Sequence, residues 1–128
     1  MKTLYIIILT FLVLSPSQIV LAKDLEDYKP SLALQLVKEK GALLIDVRSE
    51  GEFKSGSIPG AVHIPHKNIR SQVKSILNLQ KGDKDKPIVV FCAVGGRAGK
   101  AKKDLLQLGF TQVTNMGGVK DWPRSANK

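Results

Sequence analysis

The chain has 128 residues, enough for one domain and too few for two ordinary ones. Hydrophobic residues make up 43% and charged residues 24%, a globular balance rather than a disordered one. One cysteine excludes an intramolecular disulfide, two histidines leave no Cys/His set for structural zinc, and a net charge of +9 favours anionic partners without naming them.

Lys2 precedes an apolar run from Leu4 to Leu14, broken by Ser15 and Pro16, and Val20-Leu21-Ala22 then places small residues at a cleavage site. This pattern predicts a secretory signal peptide over residues 1–22, a mature domain over 23–128, and export of that domain. The run is shorter than the roughly 20 apolar residues of a spanning helix, so no stable membrane anchor is expected after cleavage. In an oxidising compartment cysteines are normally paired, and a lone one raises the hypothesis of a free reactive thiol.

Residues 23–29 read as an irregular lead-in. Pro30-Ser31 opens a short amphipathic helix that Gly41 ends. Ala42 to Val47 is an apolar run of the length of a buried parallel strand. Glu50 to Ser55 reads as a helical turn, Ala61 to Ile64 as a second strand, and Ile69, Val73, Ile76 and Leu77 as helical spacing. After a charged loop to Pro87, Ile88 to Phe91 is another buried strand, and Cys92 to Arg97 a glycine-containing loop. Lys100 to Leu108 is helical and Thr111 to Asn115 a last strand. Gly117-Gly118 reads as a turn and Val119 to Trp122 as a short closing helix. Strands alternating with helices predict an α/β domain whose mostly parallel sheet of four to five short strands is flanked by helices.

In such sheets ligands sit beyond the carboxyl ends of strands, and Cys92 stands at one of those ends. Backbone N–H groups of Ala93, Val94, Gly95 and Gly96, followed by a helix N-terminus, make an anion nest that favours thiolate. Arg97 offers a planar fork of donors to an oxyanion. The alternative is a buried cysteine that serves as a small hydrophobe.

The loop resembles that of rhodanese-like sulfurtransferases, whose pattern is C-R-x-G-x-R or a close variant. Cys92, Gly95 and Arg97 match, whereas Ala93 stands where many members carry arginine. Asp46-Val-Arg48, Glu52-Phe53 and the stretch from Gly56 to Pro65 resemble the family's upstream motif, with Ser57 where histidine is common. Leu105, Gly109-Phe110, Val113, Asn115, Gly117-Gly118 and Trp122 resemble its closing segment. With the leader, the chain looks like the small periplasmic phage-shock-type rhodaneses, which implies a periplasmic location. The resemblance implies a three-layer domain and a two-step sulfur transfer without cofactor or metal. Cys92 would carry a persulfide, and Arg97 with the loop would bind a small anionic donor such as thiosulfate. The acceptor would be thiophilic: cyanide in an assay, a thiol in the cell.

Asp46, Arg48 and Glu52 read as a structural ion-pair group tying a strand end to the next turn. His63 and His66 lack a third metal partner and read as satisfied or surface histidines. Trp122 reads as a packing residue, with a place on the substrate lip as the alternative. Lys100, Lys102 and Lys103 read as a solvated face that also attracts dianions. No nucleic-acid partner is expected, since a base-stacking aromatic cluster is absent. Two rivals stand beside sulfur transfer. One is a phosphatase of the cell-division-cycle type or an arsenate reductase, whose loops look like C-x5-R where this chain has C-x4-R. The other is a non-catalytic module that senses sulfur or redox state through Cys92.

Overall fold

The computed structural model describes residues 24–127, so the predicted leader lies outside the described residues. Helix α1 (Pro30–Lys40) starts on a proline, which needs no hydrogen-bonded N–H there, and stops at Gly41, whose φ of 62° is left-handed. Four short strands follow in the chain: β1 (Leu43–Asp46), β2 (Val62–His63), β3 (Ile88–Cys92) and β4 (Val113–Gly118). They form one parallel sheet in the order β2-β1-β3-β4. The other helices are α2 (Glu50–Lys54), α3 (Val73–Leu79) and α4 (Gly96–Gln107). Among the described residues no helix is long and apolar enough to cross a membrane.

Side chains alternate across β1 and β3, so each strand feeds two cores. Ile45, Ile88, Val90 and Cys92 pack with Ile76 of α3 and with Ala98, Ala101 and Leu105 of α4. Leu44, Val89 and Phe91 pack on the other face with Ala33 and Leu36 of α1 and with Trp122. All five residues of β3 are buried, the expected state of a central strand covered by helices on both faces. The predicted α/β three-layer architecture is therefore the observed one, with four strands, all parallel.

Two expectations change at the ends that surround Cys92. Gly117-Gly118 is the end of β4 rather than a turn: Gly117 pairs with Phe91 and Gly118 with Cys92. A register shift between Val90 and Phe91 leaves Met116 without a partner on β3 and bends the strand there. Helix α4 begins at Gly96, not near Lys100, so Arg97 lies in its first turn and the loop shrinks to Ala93–Gly95. Glycines at 96 and 99 hide this start from any reading by apolar spacing, because the contact made there is the small side chain of Ala98.

Gly118 has an ordinary extended φ of −104°, yet a Cβ there would lie 2.3 Å from the Ala93 carbonyl oxygen. The missing side chain is what lets the cysteine loop close over the end of β4. Gly118→Ala is expected to destabilise the domain by roughly 1–3 kcal/mol through overpacking against backbone. Urea unfolding measures this, and an unchanged midpoint would contradict the close approach.

Candidate active site

Cys92 ends β3 with its side chain on the α4 face, 1% exposed. Its Sγ accepts the Gly95 N–H at 2.9 Å. Burial pushes the thiol up from its ordinary value of 9.0, but the backbone N–H groups of Ala98, Val94, Gly95 and Arg97 oppose it. The donors win, and the thiol titrates below its ordinary value. Of the loop residues expected to line the site, Ala93 and Val94 are exposed, Gly95 is buried and Gly96 opens α4. Val94 stands out from the loop at 83% exposure, so its contribution to the cradle is its N–H rather than its side chain.

Gly95 carries the turn at φ 117°, a conformation suited to glycine. Its carbonyl accepts the Asn115 side-chain N–H at 2.9 Å, and Asn115 Oδ1 accepts the Gly117 N–H at 2.9 Å. Asn115 thus fixes the loop from the neighbouring strand, a role that its place in the closing motif did not reveal.

The acidic and basic residues sort into two pairs. Asp46, fully buried, accepts the Arg48 guanidinium at 2.7 Å and the Ser57 hydroxyl at 2.8 Å. Burial pushes its carboxyl up, and these donors more than reverse that, holding it below its usual range. Arg48 also donates to the Gly56 carbonyl at 2.7 Å, which ties the end of β1 to the segment after α2. Glu52 does not join this group as expected. It takes Arg97 instead, through Nη1 at 2.6 Å and Nη2 at 2.9 Å. The capping box between Ser49 and Glu52 at the start of α2 aims the carboxylate at the first turn of α4. Arg97 in turn lies near Cys92, and the thiolate reinforces its positive charge.

His63 Nε2 donates to the Arg48 carbonyl at 2.8 Å and the ring stacks on Phe53, so it is a satisfied histidine. His66 lies at a cleft of about 290 Å³ lined by Arg48, Ser49, Pro65, His66, Lys67 and Arg97. Burial, then the charges of Lys100, Lys67 and Arg97, push His66 below its ordinary 6.5. The cleft is therefore a positively charged approach beside the arginine of the cysteine loop. A larger cleft, about 570 Å³, lies between α1 and Asp85–Pro87, and its lining carries no thiol, hydroxyl or imidazole. Among the described residues no three His, Cys, Asp or Glu side chains form a metal cluster.

Lys102 departs from the solvated face expected of it. It reaches back to Asp27 at 2.7 Å and to the Leu25 carbonyl at 3.2 Å. Trp122, 9% exposed, belongs to the α1-side core, which is the packing role expected. The residue missed altogether is Tyr28. Its ring lies against Gly95 and Gly117, and nothing in the polar lead-in distinguishes it as a neighbour of the loop.

The sequence profile of the rhodanese-like domain matches residues 29–125. The chain belongs to the rhodanese-like family. A tRNA uridine(34) hydroxylase of Hamiltonella defensa is 33% identical over 95 residues, covering 73% of this chain and 27% of that protein. The chain thus spans about a quarter of the length of the curated relatives it matches. Among solved structures, a rhodanese with anions from Escherichia coli superposes with a TM-score of 0.56 at 32% identity. That alignment covers 62% of this chain and 89% of that one. A human single-domain sulfurtransferase superposes with a TM-score of 0.60 at 30% identity, covering 73% and 89%.

Within this rhodanese-like domain the Glu52–Arg97 pair has a pH signature. Hydrogen bonds from Arg97, then from Ser49, hold Glu52 down from 4.5 to about 2. A lowered folded-state value means that the pair's contribution is complete above 4.5 and is lost as pH falls towards 2. Urea unfolding of wild type and Glu52→Gln is expected to show a constant stability gap at neutral pH that closes between those two values. A gap that persists unchanged through acid would count against the pairing.

Proposed function

We propose that the protein is a thiosulfate sulfurtransferase that carries sulfane sulfur as a persulfide on Cys92. The observation that carries this reading is a buried, lone cysteine whose sulfur faces several backbone N–H donors at the start of α4. Cys92 thiolate attacks the outer sulfur of thiosulfate. A new sulfur–sulfur bond forms, the original one breaks, and sulfite leaves with the electron pair. The loop N–H groups hold the charge of the resulting persulfide. A thiophile, cyanide in the assay and a thiol in the cell, then attacks the outer sulfur and releases the Cys92 thiolate.

Arg97 supports the first step. Glu52 occupies one donor on each terminal nitrogen, and a guanidinium carries five N–H donors, so three remain for the sulfonate end of the donor. Lys67, Lys100 and Arg97 around His66 supply the positive field that attracts a dianion. The leader pattern of residues 1–22 supports a periplasmic setting.

Turnover of thiosulfate and cyanide to thiocyanate tests the reading. Cys92→Ser is expected to abolish it, since an alkoxide is far scarcer than a thiolate at neutral pH. Arg97→Ala is expected to lower kcat/KM for thiosulfate by about tenfold to a hundredfold, the worth of a charge-assisted contact. Thiocyanate formation by Cys92→Ser at the wild-type rate would overturn the assignment.

Loop length separates this chemistry from phosphate transfer. Four residues stand between Cys92 and Arg97, and α4 already begins at Gly96. The cradle suits a terminal sulfur, whereas phosphate transfer needs a whole tetrahedral group in line with the thiolate. A misplacement of about 1 Å costs roughly a hundredfold in rate. Wild-type protein is expected to hydrolyse an aryl phosphate at a negligible rate beside its thiocyanate formation, and the reverse order would favour the phosphatase reading.

A further inference from the structure

The segment ahead of α1 is fastened along β4 at several points. The Glu26 carbonyl accepts the Thr114 hydroxyl at 2.7 Å. Asp27 Oδ1 accepts Lys102 Nζ at 2.7 Å and the Asn115 N–H at 2.9 Å. The Tyr28 N–H donates to the Asn115 carbonyl at 2.7 Å. Leu25 is buried in the α1-side core. These contacts make residues 25–28 a strap rather than a loose lead-in, and it lies ahead of the stretch at 29–125 that matches the family.

The strap delivers one aromatic ring to the cysteine loop. Tyr28 has a φ of 57°, a left-handed conformation that an aromatic residue adopts only where its surroundings hold it. A Cβ on Gly95 would lie 2.7 Å from Tyr28 Cε1 and from its hydroxyl, and a Cβ on Gly117 would lie 3.2 Å from Cδ1. The ring thus fills the space that side chains at two left-handed glycines would take. Gly95 is the residue whose N–H meets Cys92 Sγ and whose carbonyl meets Asn115. Asn115 is also the residue that the strap grips through its N–H and its carbonyl.

We infer that Tyr28 is a positioning residue for Cys92: its ring wedges Gly95 from behind and keeps the Gly95 N–H aimed at the sulfur. The phenol acts through Gly95, not on a substrate. Its exposure, 59%, means that it contributes little core area. Its effect therefore falls on the loop rather than on the stability of the fold. The charged groups facing the thiol region from the packed elements are Arg97 on α4 and, through it, Glu52 on α2, with His66, Lys67 and Lys100 beyond, and Asp121, whose carboxylate accepts the Gly118 N–H at 2.7 Å at the end of β4. A change at Tyr28 leaves all of them in place.

The test is the pH dependence of Cys92 alkylation by iodoacetamide, a readout independent of sulfur transfer. Failure of the sulfurtransferase reading and failure of this inference are therefore distinguishable. Tyr28→Ala frees Gly95 and is expected to raise the alkylation midpoint by about one pH unit, about a tenfold loss of thiolate well below that midpoint. Its thermal midpoint is expected to stay near that of wild type. Tyr28→Phe keeps the ring and is expected to restore the wild-type profile. An alkylation midpoint unmoved in Tyr28→Ala would overturn the inference, as would a Tyr28→Phe profile shifted as far as that of Tyr28→Ala.

Discussion

The structure turns on a contest at one sulfur atom. Burial of Cys92 at the end of β3 favours the neutral thiol, and backbone N–H groups converging on Sγ favour the thiolate. Such donors act only while the backbone holds them in place. The bulge in β4 and the bare Gly118 let Ala93 close over the strand end. Asn115 holds the Gly95 carbonyl, and α4 begins early enough for its first N–H groups to join the cradle. The helix end contributes further positive potential at the same point.

Charge around the cradle is arranged in two pairs with different duties. Asp46–Arg48 is buried and fastens the end of β1 to the Gly56–Ser57 segment. Desolvation offsets much of the attraction in a buried pair of this kind, and removing either partner would leave an uncompensated buried charge. Glu52–Arg97 is half-exposed and sits between α2 and α4, so it orients the arginine beside the thiol. Lys67 and Lys100 then leave a positive excess at the cleft of His66, beside the arginine of the cysteine loop.

Much of this was legible in the sequence. Strands buried on both faces read as continuous apolar runs, which located β1 and β3 and so placed Cys92 at a strand end. Pro30 and Gly41 bounded α1 because their backbone preferences suit helix ends. The cysteine, Gly95 and Arg97 marked the loop by residue type and spacing, but the donors to the sulfur are the N–H groups of Val94, Gly95, Arg97 and Ala98, not the expected run from Ala93 to Gly96. What stayed hidden depends on partners far away in the chain. Glu52 lies four residues after Arg48, a spacing that points to a local pair, yet it is 45 residues from the arginine it takes. Gly117-Gly118 reads as a turn until the approach of the Ala93 carbonyl explains its lack of side chains. The start of α4 carries glycine and alanine, too small to mark a helical face. Tyr28 and Lys102 belong to segments whose polarity alone says solvent, and only the fold brings them to β4 and the loop.

The cradle outweighs burial at Cys92, and the single cysteine makes this balance directly measurable. The thiolate absorbance of the intact protein, titrated against pH with Cys92→Ser as the blank, reports that residue alone. A midpoint below the ordinary value of 9.0 is expected, with no shift in the fold over the same range. A midpoint at or above that value would mean that burial wins, and Cys92 would then be a packing residue rather than a nucleophile.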